Sequence, residues 1–349
     1  MKAMQRFCGA VLTAWMMLTG TALANDGIGE LGIGGVVAGK TDRVHLRKEV
    51  LEVGIDRIKV AYEFINRSDA PITLPVMFPL PRYGPLAEEN RYHGEPEAFS
   101  VRIDGVRREH RTHVRAIHCP RSVVETPCRE VTGVLKKIGL TDRQMAHFPP
   151  EASPFAFLRH EFPKPLSRDQ VEALRKQGLL EMPQEQDGSP MPLWEVEVTY
   201  LWEVTFPPRQ VVGVEHVYRP FPSRGGAAMH DEAALRERFC ADKGILAFWN
   251  RIAPADRFDA GPSIEYILTT ANTWAGPIED FTLILKKTTP KELISLCFPG
   301  TATRIDPLTL EFRLKDFKPK RELSVLFLNG LGSDIRGKGQ PPALAYEQE

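Results

Sequence analysis

Apolar and polar residues alternate with a period of two over much of this 349-residue chain, the pattern of half-buried strands. In "IKVAYEF", Ile58, Val60, Tyr62 and Phe64 alternate with Lys59, Ala61 and Glu63. "NRSDAP" then supplies turn residues that bond their own backbone or preset φ, and Ile72, Leu74, Val76 and Phe78 resume the alternation. "FSVRI-DG-VRREHR" sets Asp104-Gly105 between two strand-like runs, a two-residue hairpin signal. "RVHLRKEVLEV" before them fits a strand or a helix. The longest alternation is "WEVEVTYLWEVTF", which puts Trp194, Val196, Val198, Tyr200, Trp202, Val204 and Phe206 on one face. Four shorter strands follow in "SIEYILTT", "DFTLILKK", "LTLEFRL" and "LSVLFLN".

Between these β regions the pattern changes. Thr141-x-x-Gln144 and Ser167-x-x-Gln170 each fit a capping box, and the second opens a helix with Val171, Leu174 and Gly178 along one side. Prolines crowd the remainder. The expected fold is therefore mainly β: two antiparallel β-sandwich-like regions, 25–120 and 193–330, with a helical, Pro-rich insertion over 121–192. One helix is expected at about 231–250, and 331–349 is expected to form a flexible tail. Six Phe-Pro dipeptides recur at irregular spacing and so are not a repeat unit; each suits a strand leaving the core, because the residue before proline is driven to extended geometry.

The ends bear on the compartment. Lys2 and Arg6 precede the apolar "FCGAVLTAWMMLTG", and Ala22-Leu23-Ala24 follows, the order of a secretory signal peptide over 1–24 cleaved between Ala24 and Asn25. The apolar run falls short of the ~20 residues of a membrane span, and no later segment is long and apolar enough for one. Loss of Lys2 and Arg6 leaves 43 basic against 45 acidic residues, a net charge of −2. That balance offers no electrostatic footprint for nucleic acid. The protein is expected to be exported, periplasmic or secreted, with no membrane span after cleavage.

Cysteine usage agrees. Without Cys8, Cys119, Cys128, Cys240 and Cys297 remain, an even set suited to disulfides in an oxidising compartment. Of the three possible connectivities we expect the local one, Cys119–Cys128 and Cys240–Cys297. A four-cysteine zinc site would want C-x₂₋₄-C spacing, which is lacking.

Candidate chemistry is sparse. "GGVVAGKT" (Gly34 to Thr41) matches the phosphate-cradling P-loop pattern and "GIGELG" (Gly27 to Gly32) the dinucleotide fingerprint. Both need a buried strand before the glycines and a helix after them, so that amides point at phosphate. The preceding "NDGIGELGI" is polar and glycine-rich, so no nucleotide site is expected. His110, His113 and His118 lie within nine residues and could bind zinc, yet on a regular strand His113 points away from the other two. Surface histidines on a basic strand are the default, and no cofactor is expected. His216 and Tyr218 share a strand face and could line a ligand pocket with Trp274, or serve as acid–base groups; burial in an aromatic core is the simpler outcome. No G-x-S-x-G, H-E-x-x-H or EF-hand loop occurs. Asn66-Arg67-Ser68 is a formal glycosylation sequon.

Several segments together resemble a known family: "NDGIGELGIGGVV", "IKVAYEFINRSDAPITLPVMFPLP", "YLWEVTFPP", "VEHVYRP" and "YILTTANTWAGPIEDFTLILKK". The set is similar to domain of unknown function 4424, a family of exported bacterial proteins. In that family the early Gly-Gly pair is common without a following Gly-Lys-Thr, which the resemblance takes as a reason to read Lys40 and Thr41 as coincidental. It implies no activity and no catalytic residue. A local run of strand, "NRSDAP", strand, "FPLP" and "FSVRIDG" is similar to the β domain of inter-alpha-trypsin-inhibitor heavy chains, which are extracellular interaction modules. The leading functional expectation is a non-catalytic binding or scaffolding module of the cell envelope, acting on an unidentified envelope protein or ligand. A metal-dependent or histidine-using hydrolase and a purely structural envelope protein are the alternatives.

Overall fold

The computed structural model describes residues 26–32, 35–84, 99–120, 127–146, 166–181, 191–220, 223–224, 231–252 and 261–328. The leader with Ala24 and Asn25, and the tail 331–349, lie outside them. The described chain is mainly β. Its strands begin with β1 (Gly27–Gly32), β2 (Gly35–Ala38), β3 (Val44–Val53), β4 (Ile58–Asn66), β5 (Ile72–Pro79), β6 (Ser100–Ile103), β7 (Val106–Arg108), β8 (Arg111–His118) and β9 (Arg129–Glu130). They continue with β10 (Leu180–Glu181), β11 (Met191–Pro192), β12 (Glu195–Phe206), β13 (Val211–Tyr218), β14 (Ser223–Arg224) and β15 (Pro262–Tyr266). The last are β16 (Ile278–Lys286), β17 (Leu293–Leu296), β18 (Thr303–Asp306), β19 (Thr309–Phe317) and β20 (Leu323–Leu328).

Four sheets result among the described residues, the smallest being the pair β10-β11. A six-stranded sheet runs β2-β1-β5-β12-β8-β9, an eight-stranded sheet β18-β19-β16-β3-β4-β13-β6-β7, and a four-stranded sheet β14-β15-β20-β17. Pairing is antiparallel except between β3 and β16, which run parallel from Lys48 opposite Asp280 to Val53 opposite Leu285. The two β regions read along the chain share their sheets: β5 pairs with β12, β4 with β13 and β3 with β16.

The inner faces follow the alternation. Tyr62 and Phe64 of β4, Val212, Val214, His216 and Tyr218 of β13, Phe78 of β5, and Trp194 with the Val196-to-Phe206 face of β12 are all buried. Phe64 meets Phe206 edge-on at 5.8 Å and Phe78 meets Tyr218 at 5.4 Å, so the six- and eight-stranded sheets pack face to face. "RVHLRKEVLEV" is strand β3, with a register shift between Leu46 and Lys48 where it pairs with β4. Asp104 and Gly105, at φ 50° and 79°, make the expected two-residue turn between β6 and β7.

Both capping boxes form. Gln144 N–H donates to Thr141 Oγ1 while Thr141 N–H donates to Gln144 Oε1, and Ser167 and Gln170 do the same at the start of the helix Arg168–Lys176. The single helix expected at 231–250 is instead two, Glu232–Phe239 and Lys243–Trp249. Cys240 turns left-handed at φ 52°, and the Asp242 side chain accepts from Ile245 N–H to start the second. These helices bury Leu235, Phe239, Ile245, Leu246 and Trp249 against Leu326 and Leu328 of β20, a small core of their own. The disulfide Cys240–Cys297 ties this pair to the end of β17, and Cys119–Cys128 closes the chain just after β8. Both bonds follow the expected local pairing.

Candidate functional site

The strand β13 carries Val212, Val214, His216 and Tyr218 inward because every second residue of a strand shares a face. His216 is thereby sealed among rings. Phe99 stacks on it at 5.1 Å, while Trp202 at 5.0 Å, Phe78 at 5.2 Å and Tyr62 at 5.7 Å surround it. Its Nε2 lies 2.8 Å from Oδ1 of Asp26, and both side chains are 0% exposed.

Asp26 is held by its backbone as well. Its N–H donates to the Tyr62 hydroxyl at 3.3 Å, and its carbonyl accepts from Trp274 Nε1–H at 2.7 Å. The Tyr62 and Tyr266 hydroxyls lie 3.1 Å apart. Glu49, opposite Tyr62 in the β3–β4 ladder, is also fully buried. Burial raises the Asp26 carboxyl above its ordinary 3.8, and the His216 imidazole pulls it back down. Burial likewise pushes the phenols of Tyr62 and Tyr266 well above 10, with the carboxylates of Asp26 and Glu49 adding to the effect. Both tyrosines therefore stay neutral and able to donate.

An acid, an imidazole and two phenols within hydrogen-bonding reach are the ingredients of proton transfer. Here they are enclosed: His216 Nε2 meets the Asp26 carboxylate and the two hydroxyls meet each other, while His216 Nδ1 is buried without a hydrogen-bond partner among the described residues. Of the three residues considered for a ligand pocket, His216, Tyr218 and Trp274 all reach this core. Tyr218 is 3% exposed and meets Phe78 edge-on, whereas Trp274 packs on Phe64 at 4.5 Å. Asp26, Glu49, Tyr62 and Tyr266 were not foreseen as a group. Their meeting depends on strands far apart in the chain, and Glu49 reaches the inner face only through the irregularity in β3.

The histidine-rich stretch does not converge. His110 is half-buried, edge-on to Phe99 at 5.2 Å and to Tyr200 at 5.1 Å. His113 is also half-buried, and burial lowers the pKa of both. His118 is buried with Nδ1 against the Leu193 carbonyl, and the neighbouring Cys119 is in its disulfide. Among the described residues no three His, Cys, Asp or Glu side chains are grouped to hold a metal ion.

The P-loop match falls on a ribbon. β1 and β2 form a hairpin, Gly39 N–H donates to the Ile28 carbonyl, Thr41 N–H to the Thr273 carbonyl, and a strand rather than a helix follows. Two amides that a phosphate would need are thus committed to carbonyls; Gly34 lies outside the described residues. The sequon at Asn66 is structural. Asn66 is buried, its Nδ2 donates to the Ala70 and Phe206 carbonyls, and its Oδ1 accepts from Ser68 N–H and Oγ.

These features define a class: a β protein with two disulfides and a histidine–aspartate pair sealed in an aromatic core. The chain matches, over residues 24–326, the family described as a domain of unknown function, DUF4424, and it belongs to that family. No functionally curated protein matches it. A solved structure from Legionella pneumophila subsp. pneumophila, provisionally described as a nutrient binding protein, is similar at 12% identity. That likeness covers 89% of this chain and 74% of the other with a TM-score of 0.42, too distant to carry an argument. The resemblance to inter-alpha-trypsin-inhibitor heavy chains rests on the sequence pattern alone.

Proposed function

We propose that this protein is an exported, non-catalytic binding or scaffolding module of the cell envelope, periplasmic in a Gram-negative host. The observation that carries this reading is the enclosure of its acid–base groups. Asp26 and His216 are 0% exposed and meet through Oδ1 and Nε2, while the main chain of Asp26 bonds Tyr62 and Trp274. A catalytic pair must reach a substrate, whereas this one holds the N-terminal segment to the sheet. Support for export comes from the leader pattern, from two disulfides of the kind that persist in oxidising compartments, and from a family match that begins at residue 24, beside the expected cleavage site.

Native mass spectrometry of protein recovered from the exported fraction of its host tests the reading. The expected species begins at Asn25, is about four daltons light for two disulfides, and carries a bound organic ligand or partner chain. A retained metal ion would overturn it in favour of the histidine-based enzyme. A retained leader, or reduced cysteines, would overturn export.

A further inference from the structure

The eight-stranded sheet ends on the hairpin β6–β7, and its last strand, β7, is exposed along its whole length. Four arginines crowd this corner: Arg102 on β6, Arg107 and Arg108 on β7, and Arg111 at the start of β8, all exposed. Against them the run 102–111 holds only Asp104 and Glu109, a net charge of +2 (4 − 2). Asp104 is committed elsewhere, its Oδ1 accepting from Gly213 N–H. Among the described residues none of the four arginines is in an ion pair, whereas Arg47, Arg67, Arg82, Arg115 and Arg238 all are. Glu215 of β13 lies opposite Arg102 but forms no ion pair with it. Arg102 and Arg107 face each other directly in the ladder, where like charges repel. Half-buried His110 feels the excess: its pKa is lowered by burial and then by the Arg107 charge.

The backbone is turned the same way. The turn at Asp104-Gly105 is two residues long, so Ile103 and Val106 form the bonded pair beside it. One position on, the N–H and C=O of Arg107 then point away from β6 to the open edge. The Arg107 side chain lies on one face of the strand, with Arg108 and Val106, which is 56% exposed, on the other. The charges thus straddle an open edge. The opposite edge of the sheet differs: β18 is broken by a register shift between Arg304 and Asp306, which discourages pairing, and β7 pairs with β6 without one.

We propose that β7 is a docking edge for an acidic, extended segment of a partner protein, which adds a strand to the eight-stranded sheet and sets carboxylates against Arg102, Arg107, Arg108 and Arg111. This rests on the binding-module reading and names the partner's chemistry. Strand addition takes its affinity from main-chain bonds and its selectivity from side chains at alternate positions. Here those positions ask for negative charge on both faces, whereas a flat anionic membrane would engage one side of the strand alone.

A short oligoglutamate peptide is the probe, titrated into the protein by calorimetry with oligolysine as the control. Binding should weaken with added salt. Arg107→Glu/Arg108→Glu should weaken it by about tenfold or more without lowering stability in urea, since both side chains are exposed. Bound peptide should slow hydrogen exchange at the Arg107 amide. No binding of oligoglutamate, equal binding by the reversed-charge variant, or an Arg107 amide left unprotected each overturns the docking edge. Binding to phosphatidylglycerol vesicles but not to the peptide overturns it in favour of a membrane surface. The binding-module reading fails separately, if host-derived protein carries a metal ion and turns over substrate whatever the peptide does.

Discussion

Replacing His216 by phenylalanine should destabilise the protein far more than replacing both members of its pair. Phenylalanine suits the aromatic shell of Phe78, Phe99 and Trp202 around the imidazole, so the change is mainly one of charge and hydrogen bonding. It leaves the Asp26 carboxylate fully buried without its imidazole. Orphaning one partner of a buried pair costs about 3–5 kcal/mol, whereas exchanging the whole pair for apolar residues of similar volume is often neutral. His216→Phe should thus lose about 4 kcal/mol at pH 7, and Asp26→Leu/His216→Phe should lie within about 1–2 kcal/mol of the wild type. The sign with pH follows from the carboxyl. Its folded pKa is raised above 3.8 by burial, so its favourable contribution is complete below the unfolded value and is lost as pH rises through the folded one. Without the imidazole, which pulls that pKa down, the loss extends to higher pH. The deficit of His216→Phe against the wild type should accordingly shrink as pH falls towards 4, where the orphaned carboxyl takes up a proton. Urea unfolding followed by tryptophan fluorescence, at pH 7 and near pH 4.5, reads all three proteins. A loss under about 1 kcal/mol in His216→Phe, or a double mutant no more stable than His216→Phe alone, would refute the reasoning.

Three further outcomes are expected. Cys240→Ala/Cys297→Ala opens a loop with a sequence separation of 57 and should cost roughly 4 kcal/mol, while Cys119→Ala/Cys128→Ala, with a separation of 9, should cost nearer 2.7 kcal/mol; equal losses in denaturant titrations would count against the loop-length argument. Asn66→Asp turns a donor to two carbonyls into an acceptor and should cost roughly 3 kcal/mol, and folded protein offered to an oligosaccharyltransferase should keep its intact mass. Gly261→Ala would place a methyl 2.0 Å from the Phe327 carbonyl oxygen of β20, so a loss of about 3 kcal/mol or more is expected, and near-native stability by calorimetry would show that this close approach is not required.

Strand content was legible because alternation reports burial directly. The face from Trp194 to Phe206 is buried at every position, and Asp104-Gly105 turns as its φ demands require. The capping boxes were equally local signals. What alternation does not encode is partnership across the chain. Nothing near Asp26 foretells His216, 190 positions away, and nothing in β3 foretells the parallel β16. The break at Cys240 also escaped the helical pattern, because a left-handed residue there depends on the Asp242 cap and on the tie to Cys297. His216 and Tyr218 share a strand face as the period of two requires, and Trp274 meets the same core through Phe64. Their role turned on burial, which follows from how the sheets stack rather than from the residues themselves.

The pairing of β3 with β16 also constrains timing. Lys48 and Asp280 face each other across 232 positions, so β3 keeps one edge unsatisfied until most of the chain is available, and contacts of such separation form slowly. For a polypeptide threaded through a membrane N-terminus first, this delay is useful. Under the proposed export, the portion still inside would be unable to close the eight-stranded sheet early and jam the passage, since the sheet is completed only by the strands that arrive last.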